Sequence, residues 1–223
     1  TTLDGDYTYT VTSDAFTTGK TYTIAASNTL ITTAERADGK TVDGAGNVTI
    51  NTLNGDNSSV LAGITATGTV TVNTAANVSF SGTLPNTNTT LDGDYTYTVT
   101  SAAFTTGKTY TVAASNALVT TATLADGKTI DGAGDVTINT LNGDASAALV
   151  AITATGTVTV NTAANVTFSG TLPNTNTTLD GDYTYTVTSD AFTTGKTYTI
   201  AASNALVTTA ELADGKTIAG AGN

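Results

Sequence analysis

The sequence predicts an all-β chain wound as a parallel β-solenoid, with coils of about 22 residues, four to each 88-residue repeat. Three observations predict it. The 223-residue chain repeats itself almost letter for letter: TTLDGDYTYTVTS opens at Thr1 and returns at Thr89 and Thr177, and VTINTLNGD begins at Val48 and again at Val136. Apolar and hydroxyl residues alternate with the period of two that a half-buried strand requires. Thr, Val, Ile and Tyr, which suit strands, are frequent throughout. The domain organisation is therefore repeat unit 1 at 1–88, repeat unit 2 at 89–176 and a partial repeat unit 3 at 177–223.

Taken in order, the unit opens on a strand in which Tyr7, Tyr9 and Val11 share one face and Thr8, Thr10 and Thr12 the other. Three stretches, Val11–Ser27, Ile31–Ile50 and Leu53–Val72, then follow one layout. Each has a short turn or single helical turn, a Gly, and a Thr-rich strand. Within them Tyr22 and Ile24 oppose Thr21 and Thr23, and Val70 and Val72 oppose Thr69 and Thr71. A fourth stretch, Thr74–Tyr95, keeps the length but carries the Val78/Phe80 strand, a turn at Pro85 and an Asn-Thr run. Asp4-Gly5, Asp38-Gly39, Asp43-Gly44 and Asn54-Gly55 punctuate the strands, as tight turns with positive φ require.

A second architecture fits the same pattern, tandem 88-residue β-sandwich (Ig-like) domains of some seven strands each. Unit length favours the sandwich. The internal layout, the small apolar residues and the absence of Trp favour the solenoid, whose narrow core needs few bulky anchors.

Acids outnumber bases 18 to 7, a net charge of −11, which argues against nucleic acid, since phosphate binding needs a clustered basic footprint. Cysteine is absent, which fits a bacterial extracellular protein or a reducing compartment. No apolar run reaches membrane-spanning length, so membrane insertion is not expected. The chain starts and stops mid-pattern and reads as part of a longer array.

Six Gly-Lys-Thr triplets (Lys20, Lys40, Lys108, Lys128, Lys196, Lys216) lack the glycine five residues before the Gly-Lys pair that a phosphate loop needs, so they read as turns entering strands. With no His or Cys, the commonest general base, thiol nucleophiles and the main zinc ligands are missing. A catalytic site recurring in every unit would be odd, and no enzyme is expected. Lys and Asn are both frequent, and whether any pair meets in a crosslink is not legible from the sequence.

Asp-Gly-Asp places Asp4 with Asp6, Asp92 with Asp94 and Asp180 with Asp182; Asn54 with Asp56 and Asn142 with Asp144 are similar clusters. Paired carboxylates around a Gly suit a hard cation, so these acids are the calcium candidates, read against plain turns with solvated side chains. No cofactor is expected to be required, and calcium is the candidate ion. The Thr-x-Thr runs (Thr8/Thr10, Thr21/Thr23, Thr65/Thr67/Thr69/Thr71) are the surface-binding candidates. They are either ordinary outward strand residues or a hydroxyl array able to order water; from spacing alone they do not fall in one register coil after coil.

Drift between units spares packing. Ile24/Val112, Ile31/Val119 and Val42/Ile130 exchange similar volumes, whereas Asp14 becomes Ala102, and Glu35 and Arg36 become Thr123 and Leu124.

Near-identical tandem units, with phrases such as LADGKTIDGAGDVTINTLNGD and TATGTVTVNTAANVTFSGTL, resemble the repeat regions of giant bacterial surface and extracellular proteins, of adhesin or stalk type. The resemblance implies a non-catalytic structural module: a spacer, stalk or fibre segment of a large secreted or surface-attached protein. The alternative is a binding module using its Thr-rich face for ice, glycan or filament–filament contact. The expected partners are neighbouring repeats of the same protein, with self-association end to end.

Overall fold

The computed structural model describes residues 1–54, 58–142 and 146–223. The chain is a parallel β-solenoid of about ten turns. Every strand pairing among the described residues is parallel and joins one turn to the next. A β-sandwich is antiparallel, so the Ig-like alternative is not favoured.

Three sides make up each turn. The first side begins with Thr2–Leu3, Thr21–Ile24 and Thr41–Gly44, and closes with a bridge from Val42 to Ile64. The second stacks Thr8–Thr10, Thr29–Thr33, Asn47–Leu53, Val70–Thr74, Thr89–Asp92, Thr109–Val112 and Thr129–Gly132. The third begins at Val78–Phe80 and continues through Thr96–Val99, Ala117–Thr121, Asp135–Leu141, Val158–Thr162, Thr177–Asp180 and Thr197–Ile200 to Thr217–Gly220. Where the first side has no strand, its place is taken by the Leu84 turn, which bonds to Ala103, and by one-turn helices at Ala122–Ala125 and Ser146–Leu149. Strands resume there at Val166–Phe168, Thr184–Val187 and Ala205–Val207.

Local chemistry explains these elements. The helical turns are too short to stand alone and are held by caps: the Thr33, Thr121 and Thr209 hydroxyls accept from the N–H groups of Arg36, Leu124 and Leu212. Inward residues stack turn on turn, as Tyr97, Leu118, Val136 and Val158 do on the third side, all almost wholly buried. Aromatic pairs thicken this narrow core; Phe80 lies 5.9 Å from Tyr97, and Phe104 4.6 Å from Tyr110.

The register sets the turn length. Val48 pairs with Val70, the expected step of 22 residues, but Thr29 pairs with Asn47, a step of 18. With shorter turns mixed in, one 88-residue unit holds more than four turns, and the excess is one side. Leu3 lies on the first side, its counterpart Leu91 on the second and Leu179 on the third. Each unit is thus turned by about a third of a revolution against the one before it.

Candidate functional site

The sequence-predicted threonines divide between two sides. Thr21 and Thr23 lie on the first side, where Thr23 pairs with Asp43 and Thr65 follows one turn on. Thr8, Thr10, Thr69 and Thr71 share the second side, and Thr67 sits at the corner between the two, its N–H bonded to the Gly44 carbonyl. The structure does give the hydroxyls a common register. Thr49, Thr71, Thr90 and Thr111 stand one above another on successive turns of the second side, all partly exposed. A parallel rank holds Asn47, Thr69, Asn88 and Thr109, joined by side-chain bonds: the Asn47 Oδ1 accepts from the Thr69 N–H at 2.9 Å and the Asn88 Oδ1 from the Thr109 N–H at 3.1 Å. The uneven spacing that hid this register in the sequence is absorbed at the corners and at one shift within the ladder between Ile50 and Leu53, beyond the Thr49–Thr71 pair.

Beside these ranks runs an amide ladder that sequence reasoning missed. Asn73 donates to the Asn51 Oδ1 at 2.7 Å, and Asn161 to the Asn139 Oδ1 at 2.8 Å. The available signal was an Asn recurring 22 residues apart on the strand's outer face.

The candidate calcium acids are turn residues. Asp4, Asp92 and Asp180 each accept the N–H of the following glycine, at 2.7–2.8 Å. Asp6, Asp94 and Asp182 follow in the left-handed region, with φ of 60–66°. The three Asp-Gly-Asp turns fall on three different sides, so they do not converge. Asp56 and Asp144 lie outside the described residues. No group of three or more acidic, His or Cys side chains gathers among the described residues.

A concavity of about 360 Å³ is lined by Ala34, Glu35, Asp38, Thr52, Asn54 and Val60. Among the described residues lining it, the charged ones are Glu35 and Asp38, both exposed. The triplet lysines lie at corners; Lys216 reaches the Asp190 carboxylate at 3.4 Å.

Among the described residues, three buried phenols are displaced from their ordinary values. Burial pushes Tyr97 up to about 12, against hydrogen bonds that pull the other way; its hydroxyl donates to the Val72 and Asp92 carbonyls. Tyr110 and Tyr185 are raised by burial too. A phenol whose folded-state value lies above its unfolded value of about 10 favours the fold fully below pH 10, and that contribution is lost as pH climbs through 12. Alkaline titration should therefore show the last phenolate absorbance rising together with loss of the β signal in circular dichroism. Full ionisation of every tyrosine with the β signal intact would contradict it.

No family model matches the chain, and neither a curated protein nor a solved structure matches it.

Proposed function

We propose that the chain is a non-catalytic structural repeat module, a spacer, stalk or fibre segment of a large secreted or surface-attached bacterial protein. The observation that carries this reading is the absence of a joint between units. At the first boundary, Thr89 pairs backward with Val70 and forward with Tyr110 in the same ladder that runs through unit 1. At the second, Thr177 pairs with Val158 and Tyr198 in the same way. A chain of linked beads bends at such places; this one carries its backbone hydrogen bonds and its core straight across them. Adding units lengthens one continuous β-structure, which suits transmission of force and separation of two ends.

Small-angle scattering tests it. About ten turns at ~4.8 Å per turn give a rod near 50 Å long. The rod should keep that length in a chelator, because each of these Asp turns already has a bond from the following glycine's N–H to its carboxylate. A longer, flexible profile would defeat the rod reading. Shortening or unfolding in the chelator would instead assign the turns a structural cation.

A further inference from the structure

The hydroxyl grid has a property the stalk reading does not use. Among the described residues, the hydroxyls of Thr49, Thr71, Thr90 and Thr111 make no hydrogen bond within the chain, whereas those of Thr65, Thr67 and Thr87 are held by backbone carbonyls. Strand backbones fix these free hydroxyls about 4.8 Å apart along the rod, and the neighbouring rank of Asn47, Thr69, Asn88 and Thr109 stands about 6.7 Å away. In a chain of net charge −11, neither rank carries a charged side chain over these four turns; the nearest charges are at the margins, Asp92 in the rank of Asn51 and Asn73 and Asp131 one turn beyond Thr111. Each Thr presents a methyl beside its hydroxyl, so water over the grid is both caged and hydrogen-bonded at regular positions.

We propose that this grid binds the ordered water lattice of ice. Neutrality selects the partner: an ionic ligand finds no counter-charge on the grid, while a lattice of neutral donors and acceptors finds both kinds of group at fixed spacing. Order selects it further, because side chains already set in a ladder lose little freedom on docking, and a rigid periodic partner uses that arrangement where a flexible one does not.

The third-of-a-turn rotation adds a geometric consequence. Unit 2 carries the same grid on the third side, as Thr137, Thr159, Thr178 and Thr199, with two charges beside it, Asp135 in one flanking rank and Asp180 in the other. The two grids face different directions, so one crystal plane engages one grid at a time. In a longer array, equivalent grids return to the same side every third unit.

The experiment measures thermal hysteresis and ice-crystal shape with the whole 223-residue chain. The expected result is faceted crystals and a freezing point below the melting point. A variant with Thr71→Lys and Thr90→Lys should lose about half the hysteresis, as should one with Thr159→Lys and Thr178→Lys, since the grids act separately. The fourfold variant should lose all of it, and Thr123→Lys, on a helical turn away from both grids, none. Circular dichroism of each variant confirms that the fold persists; replacing the same threonines by Val, which suits the strands, repeats the test should lysine disturb them. Round crystals and no hysteresis with the unaltered chain overturn the proposal and leave the stalk reading standing. So does hysteresis that survives the fourfold variant. Capture of a neutral glycan, or dimerisation, through these threonines without any effect on ice gives the grid to another partner and also overturns it.

Discussion

Replacing Gly132 by Ala is expected to destabilise the middle of the rod by about 3–5 kcal/mol. Gly132 ends a strand on the second side with φ of +101°, where an L side chain is strained. Worse, an added Cβ would stand 2.1 Å from the Val112 carbonyl oxygen and 2.8 Å from its nitrogen, so the obstacle is the backbone of the neighbouring turn rather than a side chain that can swing aside. Relief requires the two turns to separate, which stretches a parallel ladder along its whole width. Gly107→Ala separates the two causes, since its φ is also positive, at +76°, but nothing lies within 4 Å of the new Cβ. That variant should cost only the conformational term, about 1 kcal/mol. Thermal melts of the two variants check this, and equal losses would show that the close approach at Gly132 is not what matters.

Much of this architecture is written locally, and what is not local escaped the sequence. The period-two alternation of Tyr7, Tyr9 and Val11, or of Val70 and Val72, is a property of adjacent residues, and the strands appear where it runs. The single helical turns were legible as short stretches with one or two apolar residues before a Gly; sequence reasoning missed the Thr33, Thr121 and Thr209 caps. The rotation of successive units was not. It depends on turns that vary from 18 to 22 residues, and that variation is spent in corners whose sequences look alike. The same cause hid the common register of Thr49, Thr71, Thr90 and Thr111: the residues are evident, but their alignment follows from how many residues each corner absorbs. The Asp-Gly-Asp turns show the converse. Their spacing suggests oxygen ligands, and the structure adds that Asp92 and Asp180 each give one carboxylate oxygen to the N–H of the next glycine, a local turn bond the spacing alone does not reveal.

Near-identity between neighbours also takes on a physical meaning here. In tandem globules, identical sequences invite strands of one unit to pair with those of another. In this rod, pairing between units is the native arrangement at every boundary, because Thr89 must find Val70 and Tyr110. The rotation restrains slippage at the same time. A unit shifted by one whole repeat would arrive on the wrong side of the rod, with its helical turns set against strands.

The corner at Asn116 is closed by its side chain, and Asn116→Ala should cost about 2–3 kcal/mol. Asn116 is 2 % exposed, and its amide serves groups on two turns. Its Nδ2 donates to the Ala113 and Ala114 carbonyls at 3.3 and 3.0 Å, closing its own corner, while its Oδ1 accepts the Tyr95 N–H at 3.2 Å, fixing the turn below. Ser115 precedes it at φ of +65°, a conformation the amide bonds help to hold. Alanine removes these bonds together and empties a buried amide site; the Ala113 carbonyl keeps the Asn116 N–H, while the Tyr95 N–H and the Ala114 carbonyl, on exposed residues, are left to water. Asp is the instructive second substitution, since it keeps the acceptor for Tyr95 but loses the donor and brings a charge near Asp92, whose Oδ1 lies 3.4 Å from the Asn116 Nδ2. It should therefore be at least as damaging as Ala at neutral pH and recover when acidification protonates it. Because Asn28 and Asn204 hold equivalent corners with the same partners, hydrogen exchange should show the Asn116→Ala loss confined to turns around that corner. Loosening spread evenly along the rod would mean that its turns open together and that no single corner governs its neighbours.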